Sequence, residues 1–328
     1  MLLCMGNQVS RYQVEVAAAG VHAALVVQWL EVALPAAVAL GELTEGSIRP
    51  YRQAVTRWLQ YLAGSDLPTP ANVKEWVATM RASGLSHASV GTYLAGIKSC
   101  YRYLESQDSY PNIARAVRSP RARNDTPLPC PSGEIVAEMF RSIPSDAIQG
   151  LRNRALLAVM YSTALRCVSL LRALVEDVDF GAGTLRHQPK GHREKDAIAV
   201  LSTTASTALA EYIAARGPLT KTAPLFAPVG NRRSASGHLS TRSMRAVVLS
   251  LSEIAGLARR SNDGKLLNPG HFSAHAIRRA AVTVAVETLG LESGQVLAGH
   301  SSAEVTKRSY ARVDKYRQLQ ATAKALDF

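Results

Sequence analysis

Apolar residues recur along most of this chain at three- and four-residue intervals that break at Gly, Pro and Ser, a pattern that predicts a mainly helical protein. Residues 47–64 place Val55, Trp58, Leu59 and Leu62 on one stripe, with Pro50 in the tolerant opening turn and Gly64 as a stop. After a break at Pro68 and Pro70, residues 71–84 predict a second helix ended by Gly84. Ser86 caps a third through Ser106, with Val90, Tyr93, Leu94, Ile97 and Tyr101 on one face, and a short helix at Asn112–Val117 closes the set. Farther on, helices are predicted at Ser132–Ser142, as a pair within Leu151–Leu174, and at Thr204–Ala215 and Ser240–Ala258. A last one follows Ser273 as N-cap, runs through Ala281, Val284 and Val286, and stops at Gly290. Two short strands, Thr184–His187 and Ala197–Leu201, flank a polar turn at Lys190-Gly191-His192. The run from Val14 to Leu43 is interrupted by Glu15, His22, Glu31 and Pro35, and no cluster of positive charge precedes it. It therefore reads as one or two Ala/Val-rich helices packed on the domain or on a neighbouring subunit, with no membrane span or signal expected.

Residues 118–134 (RSPRARNDTPLPCPSGE) carry neither period and mark a boundary, which Arg118, Arg121 and Arg123 make basic. A chain of 328 residues, 47% of them hydrophobic, is long enough to fill two cores. The formal net charge of +13 points to a polyanionic partner, and it is spread over both parts: 12 Lys/Arg against 8 Asp/Glu up to Asn124, 26 against 17 beyond. Charge alone excludes little, since a basic enzyme without a nucleic-acid partner looks the same. Arg57, Lys74, Lys98 and Arg102 in the first helical set, and Arg242 and Arg245 in the later one, occupy helix positions that suit contact with duplex phosphates; the bland alternative is a solvated basic face. Residues 231–237 form a basic loop between helices. Cys4, Cys100, Cys130 and Cys167 are scattered without a Cys-x-x-Cys pair, which reads as free thiols in a reducing compartment and no zinc site.

The densest candidate chemistry lies between His271 and Tyr310. His275 and Arg278 are three apart on the first turns of the Ser273-capped helix; His300 follows Gly299, and Tyr310 comes ten residues later. An Arg fork binds phosphate oxygens, a His moves a proton, and a Tyr hydroxyl can act as a covalent nucleophile. Each residue alone is bland, and only the set carries weight.

The order His-x-x-Arg, Gly-His, Tyr resembles the C-terminal signature of the tyrosine recombinases, the phage-integrase and Xer-type family. The resemblance implies an upstream Arg after a Thr-Gly-Leu-like turn and a Lys on an intervening hairpin, and both are found: Arg166 in Thr163-Ala164-Leu165-Arg166, and Lys190 in Lys190-Gly191. It extends over roughly residues 44–316. Three departures stand out: Ser169 replaces the usual acid three positions after Arg166, Arg279 stands where many members have a second His, and Arg193 and Lys195 lie close enough to compete for the role of Lys190.

The fold implied by the resemblance is mainly α with a small β-hairpin or sheet. A helical N-terminal extension (1–43) would precede a helical, SAM-like core-binding domain (44–118), a basic linker (119–131) and a mixed α/β catalytic domain with a C-terminal docking tail (132–328), the two domains closing as a C-shaped clamp on DNA. The activity implied is site-specific recombination, with cleavage through a 3′-phosphotyrosyl intermediate and no metal, ATP or other cofactor. Tyr310 would be the nucleophile, Arg166, Arg278 and His300 would hold the phosphate's charge, His275 would take a proton, and Lys190 would protonate the leaving 5′ oxygen. The partners implied are double-stranded DNA with paired inverted core sites and three further copies of the chain, with room for accessory proteins, in the cytoplasm and away from membranes. The tail Ala311–Phe328, with Val313, Tyr316, Leu319, Ala323 and Leu326 at helical spacing, would dock on a neighbouring subunit. Alternative readings are a type IB topoisomerase acting alone, a catalytically idle DNA-binding relative, a metal-dependent hydrolase using His271 and His275, and a purely structural helical protein. The hydrolase lacks an HExxH or a carboxylate cluster, and a structural protein has no need of the six groups in this order.

Overall fold

The computed structural model describes residues 20–63, 67–119, 129–189, 192, 194–230, 237–264, 266–267 and 272–299. The chain divides into two compact units, one ending at Asn124 and the other beginning at Asp125. Gly64, Arg121, Arg123, Lys190, Arg193, His271, His300, Tyr310, the loop at 231–236 and the tail lie outside the described residues.

In the first unit, α1 (Val21–Ala39) is long and apolar enough, by length and composition only, to cross a membrane. Its Val26, Trp29, Leu30 and Leu34 sit in the core that it shares with the following helices. Helix α2 (Ile48–Leu62) ends at Ala63 in a left-handed conformation, φ 47°. Helix α3 (Pro70–Ala82) starts with Pro at its first position, where no N–H is needed, and Asn72 Oδ1 accepts from the Thr69 N–H at 2.9 Å. Helix α4 (His87–Ser106) is capped by Ser86, whose hydroxyl accepts from the Ser89 N–H at 3.1 Å. Helices α2 and α4 approach closely because Gly96 has no side chain: a Cβ there would lie 3.1 Å from the Cβ of Ala54.

A polar chain runs through this core. Trp58 Nε1 donates to the Tyr101 hydroxyl at 2.8 Å, and the same oxygen lies 2.9 Å from His22 Nε2. A hydroxyl has one proton to give and two lone pairs, enough to serve both rings, so α1 is joined to α4 by a buried hydrogen bond. Burial raises the Tyr101 pKa, which keeps the phenol protonated. The helix expected at Asn112–Val117 is instead a series of turns. Its main-chain bonds run from Arg115 to Asn112 and from Val117 to Ala114, with no four-residue ladder, and Pro111 precedes it. Ile113, Ala114 and Val117 are buried, so apolar spacing reflected burial and not a helix.

The second unit begins with α5 (Gly133–Arg141) and α6 (Ile148–Thr163), followed by the short α7 (Cys167–Leu171). A three-stranded antiparallel sheet comes next, in the order β1 (Val178–Asp179), β2 (Thr184–His187), β3 (Ala197–Val200). Leu185 pairs with Ala199 across the expected hairpin. Strand β1 was not expected, since two residues are too few for alternation to show. Helices α8 (Thr203–Ala215), α9 (Thr241–Ile254), α10 (Ala274–Leu289) and α11 (Leu291–Ala298) complete the described part. Helices α5, α8, α9 and α10 are each capped by a Ser hydroxyl, from Ser132, Ser202, Ser240 and Ser273, that accepts the N–H three residues on. The core is built on Leu156, Leu157, Val159 and Met160 of α6 with Leu209, Val248, Leu251 and Ile277 around them, and it also takes in the stacked rings of Tyr212 and Phe226.

Candidate active site

Of the six residues proposed for chemistry, Arg166, His275 and Arg278 lie among the described residues. Arg166 occupies the N-cap of α7, immediately after the chain turns back from α6. The turn is made at Ala164, which is left-handed at φ 47°. An L-residue adopts that conformation at a cost of about 1–2 kcal/mol, the physical reason Gly suits this place in the Thr-Gly-Leu-Arg pattern. Ala164 is fully buried in a small cluster with Ala281, Val282 and Ala298, whose short side chains let α6, α10 and α11 come together. Gly294 brings α11 still closer, since a Cβ there would lie 2.2 Å from Val286 Cγ2.

This close packing sets Arg278. Its Nη1 donates to the Ala164 carbonyl and its Nη2 to the Ala298 carbonyl. One guanidinium thereby ties the turn before Arg166 to the end of α11, two residues before His300 in sequence. A guanidinium of this kind presents a planar fork of N–H donors, the geometry that suits a phosphate. Arg166 and Arg278 line the same cleft of about 890 Å³, together with Ser169, His187 and Pro189; Ile198, Val200 and Val296 form an apolar wall.

His275 stands on the first turn of α10 and is exposed as a residue, although its ring is partly shielded from water. Its pKa is held below the ordinary imidazole value, first by that desolvation and then by the positive fields of Arg278, Arg279, Arg166 and Arg245. The ring is consequently neutral near pH 7 and able to accept a proton. Arg245, grouped by sequence with the backbone-contacting residues, therefore belongs electrostatically to the His275 set. Periodicity could not reveal this, because α9 and α10 are brought together only by tertiary packing. Arg279 donates to the Pro129 carbonyl at 2.7 Å, anchoring the start of this unit to α10.

The hairpin holds two further findings. Asp177 is fully buried at its side chain; it accepts from Lys195, from Arg186 at 3.2 Å and from the Leu174 N–H at 2.8 Å. Lys195 is thus committed to a buried carboxylate and is a poor candidate for a mobile acid. Ser169 donates to the Gln188 carbonyl at 2.7 Å, where an acidic side chain would set acceptor against acceptor. Among the residues considered for DNA contact, Arg57, Lys74, Arg102, Arg118, Arg242 and Arg245 are exposed and Lys98 is half-buried. The Arg57 guanidinium lies 5.4 Å above the Tyr93 ring, which holds its stem in place.

Comparison with known proteins agrees with this geometry. The phage integrase family model matches residues 135–317, and that of the phage integrase N-terminal SAM-like domain matches residues 40–108. A tyrosine recombinase XerC of Pelobacter propionicus is 30% identical over 241 residues, 73% of either chain, and a XerC of Methylobacterium nodulans is 29% identical over 295 residues, 85% of this chain and 86% of that one. A crystal structure of the XerH site-specific recombinase bound to a palindromic difH substrate, a post-cleavage complex, has the same fold, with a TM-score of 0.64 at 19% identity over 84% of this chain and 79% of that one. The chain belongs to the phage integrase family of tyrosine recombinases. Its activity is site-specific DNA recombination.

Proposed function

We propose that the chain cuts and rejoins double-stranded DNA at paired inverted core sites through a covalent link between a 3′ phosphate and Tyr310. In this reading Tyr310 attacks the scissile phosphorus, a P–O bond forms to the phenol, and the bond to the 5′ oxygen breaks. His275 takes the phenolic proton and Lys190 supplies one to the leaving oxygen, so charge balances without metal or nucleotide. Arg166, Arg278 and His300 hold the charge that grows on the non-bridging oxygens, and fixed donors of this kind ordinarily contribute more to such catalysis than any other group. The freed 5′ hydroxyl of a partner strand then reverses the step and exchanges the strands.

The observation that carries this reading is the convergence of Arg166 and Arg278 on one cleft, with the pKa of His275 lowered first by desolvation and then by the fields of these same arginines. An anion entering the cleft meets donors that are already fixed, and the field that attracts it also depresses the pKa of the base. The exposed cations Arg57, Lys74, Arg102, Arg118 and Arg242, together with Lys98, Arg121, Arg123 and Arg245, supply the sequence-independent phosphate contacts that a duplex requires. The domain division follows the same reading: residues 44–118 bind the core site, 119–131 link, 132–328 carry out the chemistry, and 1–43 extend the first domain. The tail Ala311–Phe328 docks on the next of four copies, so that head-to-tail contacts close into a ring on the DNA, with accessory proteins free to join, all in the cytoplasm.

A nicked suicide substrate tests the reading, because loss of the short cleaved strand traps a covalent protein–DNA adduct. Tyr310→Phe is expected to bind the site with near-normal affinity and to form no adduct. Adduct formation by that variant would move the nucleophile elsewhere, to Tyr316 first.

A further inference from the structure

Short helix α7 presents three consecutive positions at three-residue spacing, Arg166, Ser169 and Arg172, from its N-cap to its C-cap. The first two line the cleft; the last two converge on Gln188, the residue after β2. The Ser169 hydroxyl donates to the Gln188 main-chain carbonyl at 2.7 Å, and Arg172 Nη1 donates to Gln188 Oε1 at 3.0 Å. The other end of the amide, Nε2, donates to the His192 carbonyl at 2.6 Å. Arg172 fixes which end is which, since the opposite orientation would face donor with donor. The His192 N–H also donates back to the Pro189 carbonyl at 3.3 Å. Gln188 therefore joins His192 to the helix that carries Arg166, and in sequence Lys190 falls between the two residues so joined.

We infer that Gln188 is the positioning residue for Lys190, with Ser169 and Arg172 as its anchors on α7. This rests on Lys190 being the general acid, as proposed above. A lysine ammonium is a point charge on a flexible four-carbon stem, so a role as acid asks for neighbours that set the course of the chain on either side of it. A side-chain amide that spans the turn and is locked to α7 sets the distance between the phosphate-binding Arg166 and the acid, which have to meet on the same phosphodiester. It also explains why a Ser serves at position 169: the group facing it is a carbonyl oxygen, which requires a donor. Neither Gln188 nor Arg172 need touch the substrate.

The test uses the full-length chain and two suicide substrates, one ordinary and one with sulfur at the 5′ bridging position, a leaving group that needs no acid. General acids contribute about 100- to 10,000-fold. Gln188→Ala is expected to slow ordinary cleavage by about 10- to 100-fold, a part of that range, and to cleave the sulfur substrate at close to the parental rate. Arg172→Ala, at an exposed position that folding tolerates, should show a smaller loss with the same rescue. Lys190→Ala runs alongside. If sulfur rescues Lys190→Ala but neither Gln188→Ala nor Arg172→Ala, the acid is right and the positioning role is wrong. If Lys190→Ala itself is not rescued, Lys190 is not the acid and both ideas fall. Ordinary rates for Gln188→Ala on the ordinary substrate would also overturn the inference.

Discussion

The two units solve the problem of order in different ways. The first is fixed from within, by large aromatic side chains whose polar ends answer one another. Trp58 and Trp76 meet edge to face at 5.3 Å, and Trp58, Tyr101 and His22 share one hydroxyl. The second unit is fixed around its cleft by small residues and main-chain carbonyls. Ala164, Ala298 and Gly294 allow the close approach, while Arg278, Arg279 and Ser169 bind backbone oxygen. Side-chain bulk builds a platform; its absence lets charged groups converge. The lesson is that the exposed cations of the first unit stand apart from what holds its core, whereas Arg278 and Arg279 are themselves ties that hold the second unit together.

That contrast can be broken in three places, beginning with the largest effect. Arg278→Ala removes an anion donor and two carbonyl ties together, so cleavage of a suicide substrate should fall by at least about 100-fold, the scale of one lost oxyanion donor. A loss below about 10-fold would separate the clasp from the chemistry. Tyr101→Phe should do the opposite in the first unit. It removes the oxygen that serves Trp58 and His22, lowering stability in urea unfolding by about 1–3 kcal/mol, while the single-turnover cleavage rate of the folded complex stays unchanged. A matching fall in rate would mean that this platform is not energetically separate.

The smallest effect is a displacement along the pH axis. Arg245→Gln removes one of the positive charges that disfavour the imidazolium form of His275, so the pKa of His275 rises toward its ordinary value. At a given mildly acidic pH more of the ring is protonated, fewer molecules hold a free base, and the acid limb of single-turnover cleavage moves to higher pH. Well above the His pKa the variant and parent converge. A profile that falls evenly at all pH values would assign Arg245 to DNA binding alone.

Much of this was legible in the sequence. The stripes of α2 and α4 and the Ser caps of α5 and α10 are local, and local physics determines them. His275 and Arg278 stood out by residue type and helical spacing and Arg166 through resemblance, and the structure brings Arg166 and Arg278 to one cleft across 112 residues of chain. Features that depend on partners distant in sequence did not show. Nothing local distinguishes Gln188 from any other hairpin amide, or Lys195 from Lys190, until Asp177 and α7 are packed beside them. Asn112–Val117 failed in the reverse sense, because buried apolar side chains mimic a helical period even in turns. Helix α11 is short and contains Gly294, so its pattern was too weak to read, although that Gly is what allows it to dock.

Because Arg278 grips main-chain oxygens at 164 and 298, its aim is indifferent to the chemistry of the side chains there and sensitive to their bulk. Every residue has a carbonyl, but few are narrow enough to lie in the cluster with Ala281 and Val282. Drift at these two positions is therefore filtered by size: Gly, Ala or Ser leaves the tie intact, and a longer side chain wedges the helices apart. The site can tolerate variation in lettering beside its most demanding side chain so long as volume is kept.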